Sequence, residues 1–300
     1  MRHQTTLKFV DAIARVGSIR RAAEQMAITP SALNRRLLAV EQEIDTQLFE
    51  RMATGVRLSA AGELFLAHAR RQIADMERIR SQIEDMKGAR RGHVSFGFDA
   101  SLAMDSFAEA IDEYREAHPD ATFQVERIDR DATQRHVTDY RIDMACVIQP
   151  EAYPNLTTLA LAPANVVAVM DPSHQLAGKP SVSFNDLLPH PLVLPPSGSL
   201  RNLLEVAARR QDYILHPALE CELPFAGQVL KRGNAIGFSA NTSMDNESGL
   251  EGMVCVLINQ RDLVRPNIHL VQLRGRALSV AASRFADLLV QRLAQIAGEV

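Results

Sequence analysis

The stretch from Ser18 to Val40 constrains this chain more than any other, because it writes two short helices with a tight break between them. Ser18 is an N-cap residue, whose hydroxyl accepts a free backbone N–H of the first turn. Ile19, Ala22, Ala23 and Met26 then recur at helical spacing. Thr29-Pro30 is a second start signal: a capping threonine, then proline at the first helical position, where no N–H is needed. Ala32, Leu33, Leu37 and Val40 give the second helix one apolar face, and Ser31, Asn34, Arg35 and Arg36 fall on its other side. Small alanines at 22 and 23 let the two helices cross closely. A helix-turn-helix has this form, with groove-reading side chains on the first turns of its second helix. An ordinary core helix pair with solvated arginines has it too, so the flanking sequence decides.

A first helix is predicted from Thr6 to Val16, with Phe9, Val10, Ile13 and Ala14 as its buried stripe and Gly17 ending it. Beyond the pair, residues 47–58 suit a two-stranded wing. Leu48 and Phe49 dock on the core, Thr54-Gly55 turns, and Val56 and Leu58 return. Arg51 and Arg57 flank the turn, where a wing meets phosphates or the minor groove. Arg20 and Arg21 add positive charge on the first helix of the pair. Ser59 then caps a helix running to about Lys87, roughly 42 Å long at the helical rise. Phe65, Ala69, Ile73, Met76, Ile79, Ile83 and Met86 follow one another along it every three or four residues. So narrow a seam on so long a helix predicts a dimer contact. Gly88 to Gly92 reads as a hinge.

Charge divides at that hinge. Residues 1–91 hold sixteen Lys and Arg against eleven Asp and Glu, a balance of +5; the rest of the chain holds the other 17 of 33 and 25 of 36, a balance of −8. A basic front on an acidic body suits a front that binds phosphates and a body that does not. With no tryptophan and 5% aromatic residues, base stacking on an aromatic platform is disfavoured as the mode of binding. Cys146, Cys221 and Cys255 are far apart without a CxxC pair, and read as structural thiols. The nine histidines have no metal-ligand spacing, and no cofactor is expected. The near-apolar run from Leu159 to Met170 is too short to span a bilayer, and no apolar signal core opens the chain, so a cytoplasmic protein is expected.

After the hinge the pattern becomes strand, helix, strand. Strands are predicted at 93–98, 122–127, 143–148, 157–161, 166–170, 192–194, 218–222, 235–239, 254–258 and 268–273. Helices are predicted at 100–117, 131–140, 184–188, 200–210, 225–231 and 281–297. Such alternation implies a mostly parallel sheet covered on both sides.

Taken together, these residues resemble a LysR-type bacterial transcriptional regulator over essentially the whole chain. The resemblance is carried by Leu7-Lys-Phe-Val10, Gly17-Ser-Ile-Arg-Arg-Ala-Ala-Glu24, Thr29-Pro-Ser-Ala-Leu-Asn-Arg-Arg36, Leu48-Phe-Glu-Arg51 and Leu58-Ser-Ala-Ala-Gly62. More loosely it is carried by His118-Pro119, Asp143-Met-Ala145, Leu187-Leu-Pro-His-Pro191 and Gly237-Phe-Ser239. It implies an N-terminal winged helix-turn-helix at 1–58, a dimerisation helix and hinge at 59–91, and an α/β effector-binding domain at 92–300 of two periplasmic-binding-protein-like lobes. Lobe I would comprise 92–162 and 267–300, and lobe II 163–266. Implied partners are double-stranded DNA with two-fold symmetry, a small-molecule effector, further copies of the chain in a dimer or tetramer, and RNA polymerase. Two departures stand out. Family members often have serine where Asn34 stands, and asparagine suits adenine N6 and N7. The family's common glycine pair is replaced by Lys231-Arg-Gly-Asn234.

The effector is expected between the lobes, where strand ends meet helix starts. One such start is Ser197-Gly198-Ser199 with Arg201 just inside the helix, which suits a carboxylate; a plain serine cap with a surface arginine reads the same way. The other is Asp99 with Ser101 and Leu102, where Asp99 either caps the helix or faces a hydroxyl or amine of the ligand. Ile148 and Phe238 complete the candidate lining. An enzyme is disfavoured, since no GxSxG, P-loop, GxGxxG or zinc motif occurs. A solute-binding protein fits residues 92–300 but not the basic helices before them.

Overall fold

The caps at Ser18 and Thr29 form as the sequence requires. A computed structural model describes residues 2–86, 92–99, 102, 105–148, 153–241 and 252–298, and the chain falls into two compact units, Met1–Lys87 and Gly88–Val300. The first begins with α1 (Arg2–Val16), α2 (Ile19–Gln25) and α3 (Pro30–Glu43). Ser18 Oγ accepts from the Arg21 N–H at 3.4 Å, and Thr29 Oγ1 from the Ala32 N–H at 3.3 Å. Between α2 and α3 the backbone turns at Ala27 with φ +53°, and the Ile28 N–H reaches back to Ala23 O at 3.1 Å, a left-handed helix end more often given to glycine. Ala22 and Ala23 are fully buried among Phe9, Val10, Ile13, Leu33 and Leu37.

The wing is an antiparallel hairpin of β1 (Phe49–Met52) and β2 (Gly55–Leu58), with Met52 opposite Gly55. Its turn is therefore Ala53-Thr54, one residue earlier than predicted. Gly55 opens the returning strand opposite Met52, and only glycine fits there, because a Cβ would stand 2.3 Å from Gly17 O, to which the neighbouring Val56 N–H donates at 2.9 Å. Glu41 Oε1 accepts from the N–H groups of Leu48 and Phe49 at 2.7 and 3.2 Å, fixing where the wing departs from α3.

The long helix α4 (Ala60–Met86) packs its front half inside its own unit. A Cβ on Gly62 would lie 2.0 Å from Leu48 O, so only glycine allows this approach. Asp11, nearly buried, accepts from Arg15 Nη2 at 2.5 Å and Arg70 Nε at 2.8 Å, which ties α1 to α4. The predicted seam is corrected here. Ala69 is fully buried, Phe65 packs against the same core and Ile73 is half-buried, whereas Met76, Ile79, Ile83 and Met86 are exposed. Apolar spacing says which face of a helix is covered, not by what, and α1 covers the front half.

The second unit runs β3 (Gly92–Asp99), α5 (Asp105–Ala117), β4 (Ala121–Ile128), α6 (Arg130–Thr138), β5 (Met144–Ile148), β6 (Leu156–Pro163), β7 (Asn165–Met170), β8 (Ser181–Val182), α7 (Phe184–Leu187), β9 (Leu192–Leu194), α8 (Ser199–Arg209), β10 (Pro217–Glu220), α9 (Leu223–Leu230), β11 (Gly237–Asn241), β12 (Val254–Ile258), β13 (Asn267–Leu273) and α10 (Val280–Gly298). One sheet has the order β4-β3-β5-β13-β6 and a second the order β11-β7-β12-β8. The parallel pair β10-β9 extends the second through a bridge from Leu192 to Ile236. The first sheet and its helices make lobe I, the second lobe II. The chain crosses between them at Ala164 and again at Pro266, and the Ala164 N–H donates to Pro266 O at 2.8 Å, so the two crossings hold each other.

The crossings overturn the expectation of a mostly parallel sheet. β13 re-enters lobe I beside the end of β6 and so runs antiparallel to both β5 and β6. β7 enters lobe II in the same way and is antiparallel to β11 and β12. The helix predicted from 100 starts at Asp105, because Leu102 instead forms a bridge with Ala240.

Candidate nucleic-acid interface and inter-lobe site

On α3, Leu33, Leu37 and Val40 face the core and leave Ser31 and Arg35 on the exposed side. Asn34 stands about 100° round the helix from Leu33 and is half-buried at the flank. Thr29 Oγ1, besides capping α3, lies 3.2 Å from Ser31 Oγ, so the two hydroxyls sit together at the helix start.

The arginines do not share one situation. Arg36 lies over the Phe9 ring at 5.1 Å, a cation–π contact that turns it toward α1 and away from the side where the sequence put it. Arg21 Nη2 donates to Val16 O at 3.1 Å and closes the end of α1. Arg20 pairs with Glu24 at 3.3 Å. Arg57 pairs across the wing with Glu50 at 2.7 Å, and its hydrogen bond and charge raise the Arg57 pKa. Arg35 and Arg51 are exposed and make no ion pair or hydrogen bond among the described residues. They present charge without first breaking a contact.

In the second unit the two predicted helix starts come together. Ser199 Oγ donates to Asp99 Oδ2 at 2.6 Å, and both residues are almost wholly buried. Asp99 ends β3 of lobe I and Ser199 opens α8 of lobe II, so this bond joins the lobes. The Leu102–Ala240 bridge and the Arg127–Glu222 ion pair join them too. Sequence reading missed Ala240, Arg127 and Glu222, because nothing local to those positions distinguishes them from ordinary strand and loop residues. Gly198 caps α8 with φ +99° and no side-chain hydrogen bond, and Ser197 beside it is exposed.

Other candidates are corrected. Arg201 Nε donates to Glu205 at 2.6 Å, and its Nη1 to Glu220 at 2.7 Å and to Pro195 O at 3.1 Å. Two carboxylates one turn and one strand away already neutralise it, and they raise its pKa against the effect of burial. Ile148 lies fully buried in the core of lobe I, Phe238 in the core of lobe II, and Leu102 is buried under its bridge. They fill the lobes rather than line an open site. Ser101 and residues 88–91 of the predicted hinge lie outside the described residues. Cys146 is buried and its thiol pKa is pushed up by that burial; Cys221 and Cys255 are half-buried. Among the described residues no His, Cys, Asp or Glu group suits a metal, and no helix is long and apolar enough to cross a membrane.

Comparison with known proteins bears on both regions. Residues 5–63 match the model of the bacterial regulatory helix-turn-helix protein, lysR family, and residues 87–294 match that of the LysR substrate binding domain. The RuBisCO operon transcriptional regulator of Allochromatium vinosum is 24% identical over 294 residues, covering 97% of this chain and 96% of that protein. The HTH-type transcriptional regulator TfdT of Cupriavidus pinatubonensis is 28% identical over 197 residues, 64% of this chain and 84% of that one. Among solved structures, full-length CbnR in complex with its target DNA aligns with a TM-score of 0.63 at 17% identity, over 96% of this chain and 99% of that one. Full-length OxyR from Pseudomonas aeruginosa aligns with a TM-score of 0.69 at 17% identity, over 97% of each chain.

Proposed function

We propose how this chain, which belongs to the LysR-type family of bacterial transcriptional regulators, reads its operator and responds to its effector. It is a DNA-binding regulator with an effector-binding domain, and not an enzyme. The DNA reader is residues 1–58, with 59–91 as linker and 92–300 as sensor. α3 enters the major groove, with Ser31, Asn34 and Arg35 toward the bases and Thr29 at the backbone. Arg51 and Arg57 of the wing hold flanking phosphates, Arg57 only after it leaves Glu50. The observation that carries this reading is the exposed face of α3, where Ser31 and the unpaired Arg35 stand beside Asn34.

Two copies pair through the exposed apolar residues of α4, Met76, Ile79, Ile83 and Met86, so the operator has two half-sites. A dimer of such dimers then gives a tetramer. The effector is a small organic acid bound where Ser197 and Gly198 open α8. The first-turn N–H groups of that helix, which lack a side-chain cap, favour its carboxylate. Arg201 supplies no free charge to it. Because Ser199 and Asp99 occupy each other, the acid acts by binding one lobe arrangement better than the other; equal affinity for both would shift nothing.

Selection from randomised operators tests the DNA assignment. Asn34→Ala should change base preference at one position per half-site, at about 1–3 kcal/mol of discrimination. Arg51→Ala should weaken all sequences alike and lower the salt slope by about one. Unchanged preference in Asn34→Ala overturns the base-reading role.

A further inference from the structure

A cavity in lobe II, outside the contact between Asp99 and Ser199, carries charge that neither reading above uses. It has a volume of about 420 Å³ and lies where β7 begins and the chain after β12 turns back toward Pro266. Arg261, Arg265, Asn165, Asn259 and Ser181 supply its polar lining, and among the described residues no carboxylate lines it. Val166, Ile258 and Leu263 form its wall and are nearly fully buried.

The charge balance is the telling feature. Arg265 directs both Nε and Nη2 to a single neutral acceptor, Asn165 Oδ1, at 3.0 and 2.7 Å. That amide, itself nearly buried, orients the guanidinium without neutralising it, and it leaves the Nη1 donors unspent. Arg261, itself exposed, makes no ion pair among the described residues either, so the partly buried charge left over is that of Arg265. The one acid between them in sequence, Asp262, is turned away and accepts from the Phe184 N–H at 2.8 Å. Elsewhere in this unit partly buried arginines face carboxylates, Arg201 with Glu205 and Glu220, Arg276 with Asp143, Arg292 with Glu109 and Glu113. Two arginines against a buried apolar wall with only amides and a hydroxyl around them are a preformed receptor for a negative group.

The geometry points to a second small-molecule site here, for a compact anion whose carboxylate or phosphate is held by Arg261 and Arg265. The cavity is within the size range of small-ligand sites. Its position gives the ligand leverage. Arg265 directly precedes Pro266, whose carbonyl holds the Ala164 N–H, and Asn165 directly follows Ala164. An anion held there therefore binds on the return crossing and reaches the outgoing one through the Arg265–Asn165 contact, and it biases the relative arrangement of the lobes without entering the contact between them.

Calorimetric titration of the full chain tests this, with succinate and inorganic phosphate as separate probes and chloride holding ionic strength constant. One probe should bind saturably, and which one does tells a carboxylate site from a phosphate site. Arg261→Gln should weaken it roughly tenfold, as loss of a charge-assisted contact does, with folding intact because that guanidinium supports no other described group. Arg265→Gln should weaken it at least as much. In the unchanged protein, hydrogen exchange should slow at residues 259–265 when the probe is added. No saturable binding of either probe, binding that survives both substitutions, or protection confined to the start of α8 each overturns the proposal.

Discussion

Replacing Ser199 by alanine asks whether one hydrogen bond latches the lobes. The Oγ–Oδ2 distance to Asp99 is 2.6 Å and each residue is 2% exposed, a length within the range of a hydroxyl donating to a carboxylate. A hydrogen bond to a charged group contributes about 1.5–3 kcal/mol net. Alanine at the first position of α8 returns a few tenths of a kcal/mol in helix propensity. The difference, about 2 kcal/mol, is about 30-fold in the ratio of latched to unlatched molecules. Hydrogen exchange read by mass spectrometry measures it locally, which matters because a chain of two units has no single unfolding free energy. Amides at the contact itself, at the end of β3 and in the first turn of α8, should exchange up to about 30-fold faster in Ser199→Ala, with α1 to α3 unchanged as internal reference. Asp99→Asn should have a similar effect, and the double substitution should cost clearly less than the sum of the two. A change under about threefold in β3 and α8 would refute the latch, and so would simple additivity.

Asp11→Ala removes the carboxylate that Arg15 and Arg70 share. Because the Arg70 side chain is only 13% exposed, losing this charge-assisted bond should cost the first unit about 2 kcal/mol, seen as a lower melting transition with DNA affinity falling in parallel. Two buried histidines, His136 and His174, and the half-buried His269 set an acid limit on stability. Burial lowers the pKa of His136, His174 and His269, for His174 with help from the neighbouring His190 charge. The unfolded chain then binds more protons than the native one below the ordinary histidine value of 6.5, so stability is fully present above that pH and declines as pH falls beneath it. Melting curves from about pH 7.5 down to about pH 5 should show this decline, and His174→Gln should make it shallower.

The first unit was the more legible because its signals are local. Ser18, Thr29 and Pro30 specify helix starts within three residues, and the apolar spacing of α1 and α3 specifies one shared core. What sequence could not supply there was the choice of neighbour. Phe65 and Ala69 carry the same periodicity as Ile79 and Ile83, yet α1 covers the first pair and leaves the second exposed. In the second unit the elements were readable and the strand directions were not. An alternation of strands and helices predicts parallel neighbours only while each crossover returns to the same sheet. Ala164 and Pro266 carry the chain out of one sheet and into another, and the strands beside them, β7 and β13, are the ones that run antiparallel.

The same limit governs the arginines, and it bears on where an anion binds. Sequence gives an arginine its place, at a helix start for Arg201 and between two strands for Arg265, and by that criterion Arg201 is the better anion ligand. Its charge is nevertheless met by Glu205 and Glu220, the second of them nineteen residues away on β10. Among the described residues Arg265 has only the amide oxygen of Asn165, a hundred residues distant in the chain. An arginine's capacity to recruit a ligand depends on the charge its partners leave over, and those partners are set by long-range packing that local motifs do not encode. By that measure a carboxylate opening α8 depends on backbone N–H groups alone, while Arg261 and Arg265 offer two full charges. Net positive charge near a buried wall therefore makes the proposed site at the crossing, rather than the one proposed at the start of α8, the stronger point of anion capture.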